Sequence, residues 1–327
     1  MDDRAAAAES SPSSAGRGWR RPARFRVIAL VAATAAALSV LVGIVWAPRG
    51  LHQPPGANLP SLTFPIRAAF YYPWFPEAWR QQGMDPFARY EPSLGYYSTS
   101  QATVSNQIRA MQYANIRAGI ASWWGQGSQT DSRIPTLLQA ASTSDFAWAL
   151  YYEPEGQGDP PSSQIAADLR YIREHYARTT SYLRVGGRPV LFAYADAGDS
   201  CGMAARWKEA NTLGFYVVLK VFPGYQSCSA QPDGWHQYAP ANAEDSQPGF
   251  SFAISPGFWK ASEPSPRLAR NPAAWSTSVA DMVASKAPWQ LIATFNEWGE
   301  GSAVEDAVEW QTSSGFGTYL DVLHQSR

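Results

Sequence analysis

From Ile66 onward the chain repeats one pattern eight times, a short apolar run rich in β-formers followed by helical or irregular sequence. The runs are 66–74, 118–124, 146–152, 189–194, 215–222, 234–238, 252–256 and 289–295. Such runs suit strands buried on both faces, as in parallel sheets whose crossover helices cover them. Three helical stripes are plain between them: Val104, Ile108 and Met111; Ile165, Leu169, Ile172 and Tyr176; and Trp275, Val279, Met282 and Val283. Asn271-Pro272 opens the last stripe with a cap and a first-turn proline. Eight strands with intervening helices point to the α/β class and a (β/α)8 TIM-type barrel. Residues 224–249 have to supply two crossovers yet show no amphipathic stripe, so the barrel is expected to be loop-rich around strands five to seven. An open doubly wound sheet is the alternative, but no Gly-rich phosphate loop follows the first run.

The 327 residues and 45% hydrophobic content permit a core of that size. A net charge of −1 offers no basic surface for nucleic acid. The four histidines, at 52, 175, 236 and 324, are scattered without metal-ligand spacing, so no metal and no cofactor is expected. There is no GxSxG elbow for a serine hydrolase. His236, alone among them at a strand end, is either a hydrogen-bonded core residue or a partner for a sugar hydroxyl.

Arg17, Arg20, Arg21, Arg24 and Arg26 precede 27–47, an uncharged run long enough to span a bilayer. Its basic flank assigns 1–26 to a cytoplasmic, disordered tail, 27–47 to a transmembrane signal anchor, 48–65 to a Pro- and Gly-rich stalk, and 66–327 to an exported domain on the outer side of the cell membrane. Secretion after signal cleavage is the alternative, although the run exceeds the usual apolar core of about 7–15 residues and Trp46 and Pro48 make a poor cleavage site. The two cysteines, Cys201 and Cys228, follow the fourth and fifth runs, neighbours on one rim. In an oxidising compartment they are expected to pair rather than remain buried thiols.

Chemistry-bearing residues gather where the runs stop: Tyr71-Tyr72-Pro73-Trp74, Ser122-Trp123-Trp124-Gly125, Tyr151-Tyr152-Glu153-Pro154, Tyr194-Ala195-Asp196, Trp235-His236-Gln237-Tyr238 and Asn296-Glu297-Trp298-Gly299-Glu300. The C-terminal strand ends of a barrel converge on one cleft. Singly, Trp123, Tyr151 or Tyr71 reads better as core, but recurrence on one rim describes a sugar cleft with aromatic platforms. At the last strand end Gly299 and Gly301 allow the backbone to turn, so that Glu297 and Glu300 enter one pocket. Two carboxyl groups there suit acid/base work, since burial and repulsion hold one protonated beside an ionised partner. The plainer reading is a solvated loop that happens to carry two glutamates.

In this order, Tyr72-Pro73-Trp74, Ser122-Trp123-Trp124-Gly125, Tyr152-Glu153-Pro154 and Phe295-Asn296-Glu297-Trp298-Gly299-Glu300-Gly301 resemble the endo-α-mannosidase family, glycoside hydrolase family 99, and its bacterial relatives. The resemblance covers about residues 67–306. It implies a metal-independent barrel hydrolase that cuts internal α-mannosidic bonds with retention, using the substrate's own 2-hydroxyl as nucleophile. Glu297 then matches the base that deprotonates this hydroxyl, Glu300 the acid for the leaving oxygen, Glu153 a substrate-binding carboxylate and Trp124 a subsite wall. There are departures. The family usually has His at the position of Gly299 and Thr-x-Ile-Glu-Pro where this chain has Ser302-Ala303-Val304-Glu305-Asp306. For its substrate-binding arginine after the seventh strand, Lys260, Arg267 and Arg270 all compete.

The expectation is therefore a membrane-anchored extracytoplasmic glycoside hydrolase acting on an α-mannan-like oligo- or polysaccharide. Glu297 and Glu300 are its catalytic pair, and Tyr72, Trp74, Trp124, Glu153, Tyr238, Asn296 and Trp298 bind substrate. The competing class is a non-catalytic carbohydrate-binding barrel of the cell surface. The catalytic reading is favoured because a pure binder gains nothing from two charges in an apolar cleft. A polysaccharide deacetylase would need metal ligands that the sequence lacks.

Overall fold

The computed structural model describes residues 60–196 and 198–326. The expected tail and membrane segment, 27–47 included, lie outside the described residues. Among the described residues no helix is long and apolar enough to cross a membrane.

Each of the eight runs contains a strand: β1 (Ile66–Tyr71), β2 (Ala118–Trp123), β3 (Ala147–Tyr152), β5 (Arg188–Ala193), β6 (Tyr216–Lys220), β7 (Gly234–His236), β9 (Ser251–Ile254) and β10 (Trp289–Ile292). They form one parallel sheet in the order β7-β6-β5-β3-β2-β1-β10-β9, and the pairing of β1 with β10, Ile66 opposite Trp289, bends it round. Two short additions are antiparallel: β4 (Arg184–Val185) on β5, and β8 (Glu244–Gln247) on β9. Among the described residues no backbone ladder joins β7 to β9, so the barrel is nearly closed, with its seam in the segment that lacked a helical stripe. There Gly224 takes a left-handed turn (φ 82°), and the chain makes only a 3₁₀ turn, Tyr225–Ser227, before β7.

Alternation along the strands sorts two cores. Ile66, Ala68, Phe70 and Tyr72 face inward to meet Ala118, Ile120, Ala149, Tyr151, Phe192 and Leu291, small residues interleaving with large in the barrel interior. Ala69, Tyr71, Trp123, Leu150 and Tyr152 face the helices. Those are α1 (Gln101–Tyr113), α2 (Gln129–Ala141), α3 (Ser162–His175), α4 (Cys201–Ala210), α5 (Pro272–Ser285) and α6 (Thr318–Gln325). Asn271 caps α5 as expected, its Oδ1 accepting from the Ala273 and Ala274 amides.

The described end of the expected stalk is part of the barrel instead. Leu62 already bonds to the Arg184 carbonyl at 2.9 Å, and Phe64 packs edge-on against Trp289, so 62–65 belong to the floor of the barrel. Cys201 and Cys228 are disulfide-bonded, with Cα atoms 5.2 Å apart, and tie the start of α4 to the β6–β7 loop.

Candidate active site

Beyond β10 the backbone climbs through Asn296 and Glu297, makes one 3₁₀ turn at Trp298–Glu300 and returns antiparallel to itself: Thr294 N–H bonds to Ser302 O at 3.0 Å and Val304 N–H to Thr294 O at 2.9 Å. Glu297 and Glu300 thus sit at the two ends of one hairpin tip and line one cavity. Gly301 makes the reversal with φ 63°, and a Cβ there would lie 2.6 Å from the Trp259 carbonyl oxygen. That close approach serves the site, because the loop after β9 grips the tip by backbone bonds, Trp259 N–H to Glu300 O and Ala261 N–H to Gly299 O, both 2.8 Å.

The two carboxyl groups have unlike surroundings. Glu297 is buried, its backbone amide donates to Thr294 Oγ1 (3.0 Å), and the Tyr238 hydroxyl donates to its Oε2. The Tyr72 hydroxyl in turn donates to that of Tyr238 at 2.7 Å. Burial, then repulsion from Glu300, holds Glu297 well above the usual carboxylate range despite the Tyr238 bond. Glu300 is more open. Burial raises it too, but Lys260, whose Nζ lies 4.0 Å from Oε1, and Arg267 act in the opposite sense. Glu153, at the end of β3, is pushed up to about 8 by burial, with a Ser122 hydrogen bond opposing.

The remaining expected residues divide by depth. Trp124 is an exposed aromatic on the rim, and Trp74 is half-buried with its indole N–H on Ser122 Oγ (3.2 Å). Tyr72, Tyr238 and Glu153 flank Glu297. Asn296 lies below the rim, and Trp298, although fully buried, lines the cavity beside the two carboxyl groups. The Asn296 amide is engaged by the backbone of Tyr72, and the fully buried Trp298 indole donates to Tyr97 and Glu305 at 3.1 Å each. His236 is core: no surface is exposed, Nε2 lies 3.2 Å from the Tyr151 hydroxyl, and burial pushes it down to about 3.

One residue that braces the site, Glu305, has no role assigned from the sequence, and the three basic candidates are separated only by the structure. Glu305 accepts from Tyr97 (2.6 Å), Gln107 (2.7 Å) and Trp298, which ties the hairpin to α1 and the β1–α1 loop. Burial raises its carboxyl to about 7. Lys260 faces Glu300, whereas Arg267 pairs with Glu263 at the surface. Arg270 lies beneath, donating to the Gly301 and Ala303 carbonyls and packed over Trp310. Elsewhere, Glu155, Asp159 and Asp199 bring carboxylate oxygens within 4.8 Å of one another, but Arg206 sits among them and supplies the counter-charge.

A parallel barrel with two carboxylates and an aromatic rim at its mouth has counterparts among known proteins. Over 339 residues the chain is 20% identical to the glycoprotein endo-alpha-1,2-mannosidase of Rattus norvegicus, covering 81% of this chain and 72% of that protein. The chain is thus similar to an endo-α-mannosidase. The fold agrees: the GH99 endo-α-mannosidase structure from Bacteroides thetaiotaomicron superposes with a TM-score of 0.66 at 19% identity, covering 80% of this chain and 94% of that one. A glycoside hydrolase-like protein gives 0.59 at 14%, covering 85% and 97%. No protein-family model matches the chain. Against the endo-α-mannosidase pattern, the departure at Gly299 has a steric counterpart. A Cβ at 299 would lie 2.7 Å from two ring carbons of Phe87, which occupies the space that a side chain there would need.

Proposed function

We propose that the chain is a glycoside hydrolase that cleaves α-mannosidic or closely related bonds in an oligo- or polysaccharide, with Glu297 as base and Glu300 as acid. The observation that carries this reading is the pair itself, two carboxyl groups on one hairpin tip in one cavity with different burial and different partners. Kinship with endo-α-mannosidases supports the substrate class and, with it, the route through the sugar's own 2-hydroxyl. Glu297 takes that proton, O2 attacks C1, and the leaving oxygen takes a proton from Glu300. Water then opens the intermediate at C1, giving up a proton to Glu300 while Glu297 returns its proton to O2.

Because the groups repel, the reactive form carries one proton between them. In the empty cleft burial favours Glu297 as its holder, while Lys260 and Arg267 draw Glu300 toward the anion. A bound sugar reverses this preference. Its hydroxyl donates to Glu297 and stabilises the charged form, while its ring shields Glu300 from water.

The apolar run at 27–47 behind its arginines supports a domain held at the outer face of a membrane. A C-terminal reporter protected inside the cell would overturn that part alone. The chemistry is tested by incubating the purified chain with a panel of α- and β-linked glycans and following the anomeric protons of the first product by NMR. Release of the α-anomer from an α-mannan is expected; no cleavage of any glycan would leave a carbohydrate-binding barrel as the better account.

A further inference from the structure

Between β1 and α1 the chain forms a small hairpin over 79–87. Phe87 N–H bonds to Trp79 O at 2.7 Å, and Met84 N–H bonds to Gln81 O at 2.9 Å, so Gln82 and Gly83 form a two-residue turn. Both have positive φ, 51° and 76°. Turns of this mirror type favour Asn-Gly or Gly-Gly, and a glutamine gains nothing locally from the left-handed region. A non-glycine residue held there beside a cleft points to a role for its side chain. At the foot of the hairpin Phe87 is buried against Gly299, with no room for a Cβ between them, which presses the hairpin onto the residue before Glu300.

The cavity under this hairpin is lined by Glu297, Trp298, Gly299 and Glu300, and it leaves out the side chains that flank Glu297 on its far side. Gln81, Gln82 and Lys260 line it with Trp74, Phe75 and Phe87, whereas Tyr72, Tyr238, Glu153 and Trp124 do not. We propose that the 79–87 hairpin and Lys260 form the subsite for the departing sugar, with the Gln81 and Gln82 amides as its polar readers and the Phe87–Gly299 contact as its anchor; this rests on Glu300 being the acid. Aromatic walls with amide and ammonium donors suit a hydroxyl-bearing sugar ring. The ring is neutral, since the Lys260 charge already faces Glu300 at 4.0 Å.

The test compares an α-mannan, which places a sugar under the hairpin, with an α-mannobiosyl fluoride, whose leaving group is too small to reach it. Gln82→Gly removes the amide while easing the turn, so folding is not at risk; Gln81→Ala/Gln82→Ala removes both readers. The ratio of kcat/KM for mannan to that for the fluoride is expected to fall about tenfold in the double variant and by a smaller factor in Gln82→Gly. A ratio unchanged from wild type, or equal losses on both substrates, overturns the subsite. Should wild type cleave neither, the hydrolase reading falls and the hairpin is judged by calorimetric titration with α-mannotriose. About tenfold weaker binding in Gln82→Gly keeps it as a sugar site, and an unchanged Kd removes it.

Discussion

The side-chain amide of Asn296 pairs with both polar groups of the Tyr72 backbone: Oδ1 accepts from its N–H at 2.7 Å and Nδ2 donates to its carbonyl at 3.1 Å. The side chain stands in for a peptide unit and carries the β1–β10 contact past the point where the two backbones separate, just beyond the Phe295 N–H bond to Phe70 O. Because the amide does this, the backbone of Glu297 is free to turn into the cleft. Asn296→Ala leaves two buried backbone groups unpaired and is expected to cost about 2–3 kcal/mol in chemical denaturation. In the same variant kcat should fall more than KM rises, since the tip that carries both carboxyl groups loses its anchor.

His236 makes the acid limb of stability testable. In the folded chain it stays neutral down to about pH 3, whereas in the unfolded chain it takes a proton below about 6.5. The folded pKa is depressed, so the unfolded state binds the extra proton between these values. The associated stability is present in full above about 6.5 and is lost as pH falls toward 3, in total on the order of 5 kcal/mol. Denaturant titrations of wild type and His236→Gln should show a gap that narrows steadily over that window and stays constant above it. Parallel curves would mean that His236 is protonated alike in both states.

The disulfide closes a loop of 27 residues, for which chain entropy gives about 3–4 kcal/mol. Cys201→Ser/Cys228→Ser should lose stability of that order, and reductant should then leave its unfolding midpoint unchanged while lowering that of wild type.

What was legible in the sequence was whatever depends on neighbours in the chain. All eight strands showed because burial on both faces demands continuous apolar runs, and Asn271 could be read because a cap acts on the next residues. Glu297 and Glu300 drew notice because Gly301 turns the backbone within four residues of both. Depth did not show: the Asn296 amide is taken up by the Tyr72 backbone below the rim, although Asn296 adjoins Glu297 in sequence. Nor did anything held by distant partners. Glu305 meets Gln107 across 198 positions, and Phe87 meets Gly299 across a greater span. Among Lys260, Arg267 and Arg270 charge alone offered no choice. The structure separates them by what each touches: a carboxylate in the cleft, a carboxylate at the surface, and backbone carbonyls beneath.

Lys260 favours the ionised form of Glu300, so its removal should shift the pH profile in a defined direction. Without the cation the last proton of the carboxyl pair is held more tightly, and the alkaline limb of kcat/KM should move upward in Lys260→Met. A partly exposed ion pair is worth about 0.2–1 kcal/mol, which corresponds to a shift of roughly half a pH unit. A downward shift would mean that the limb reports another group. Should substrate affinity also fall, the two effects separate, since the pH midpoint does not depend on KM when kcat is followed under saturation.

The two glutamates can be told apart by the leaving group. A poor leaving group such as a sugar hydroxyl needs its proton from Glu300, whereas an activated aryl oxide departs with little help. Glu300→Gln should therefore lose natural-glycan cleavage, by a factor of about 10²–10⁴ if proton donation is its role, and retain a larger fraction on the aryl glycoside. Glu297 is needed whatever departs, because deprotonation of the 2-hydroxyl precedes attack on C1, so Glu297→Gln should lose both substrates alike. Tyr238→Phe adds an internal control: it removes the hydroxyl that donates to Glu297 and should raise the acid limb of the profile, since the anionic base loses its hydrogen-bond donor. Equal sensitivity of both substrates to Glu300→Gln would remove its assignment as the acid and, with it, the argument that the hairpin side of the cavity receives the leaving group.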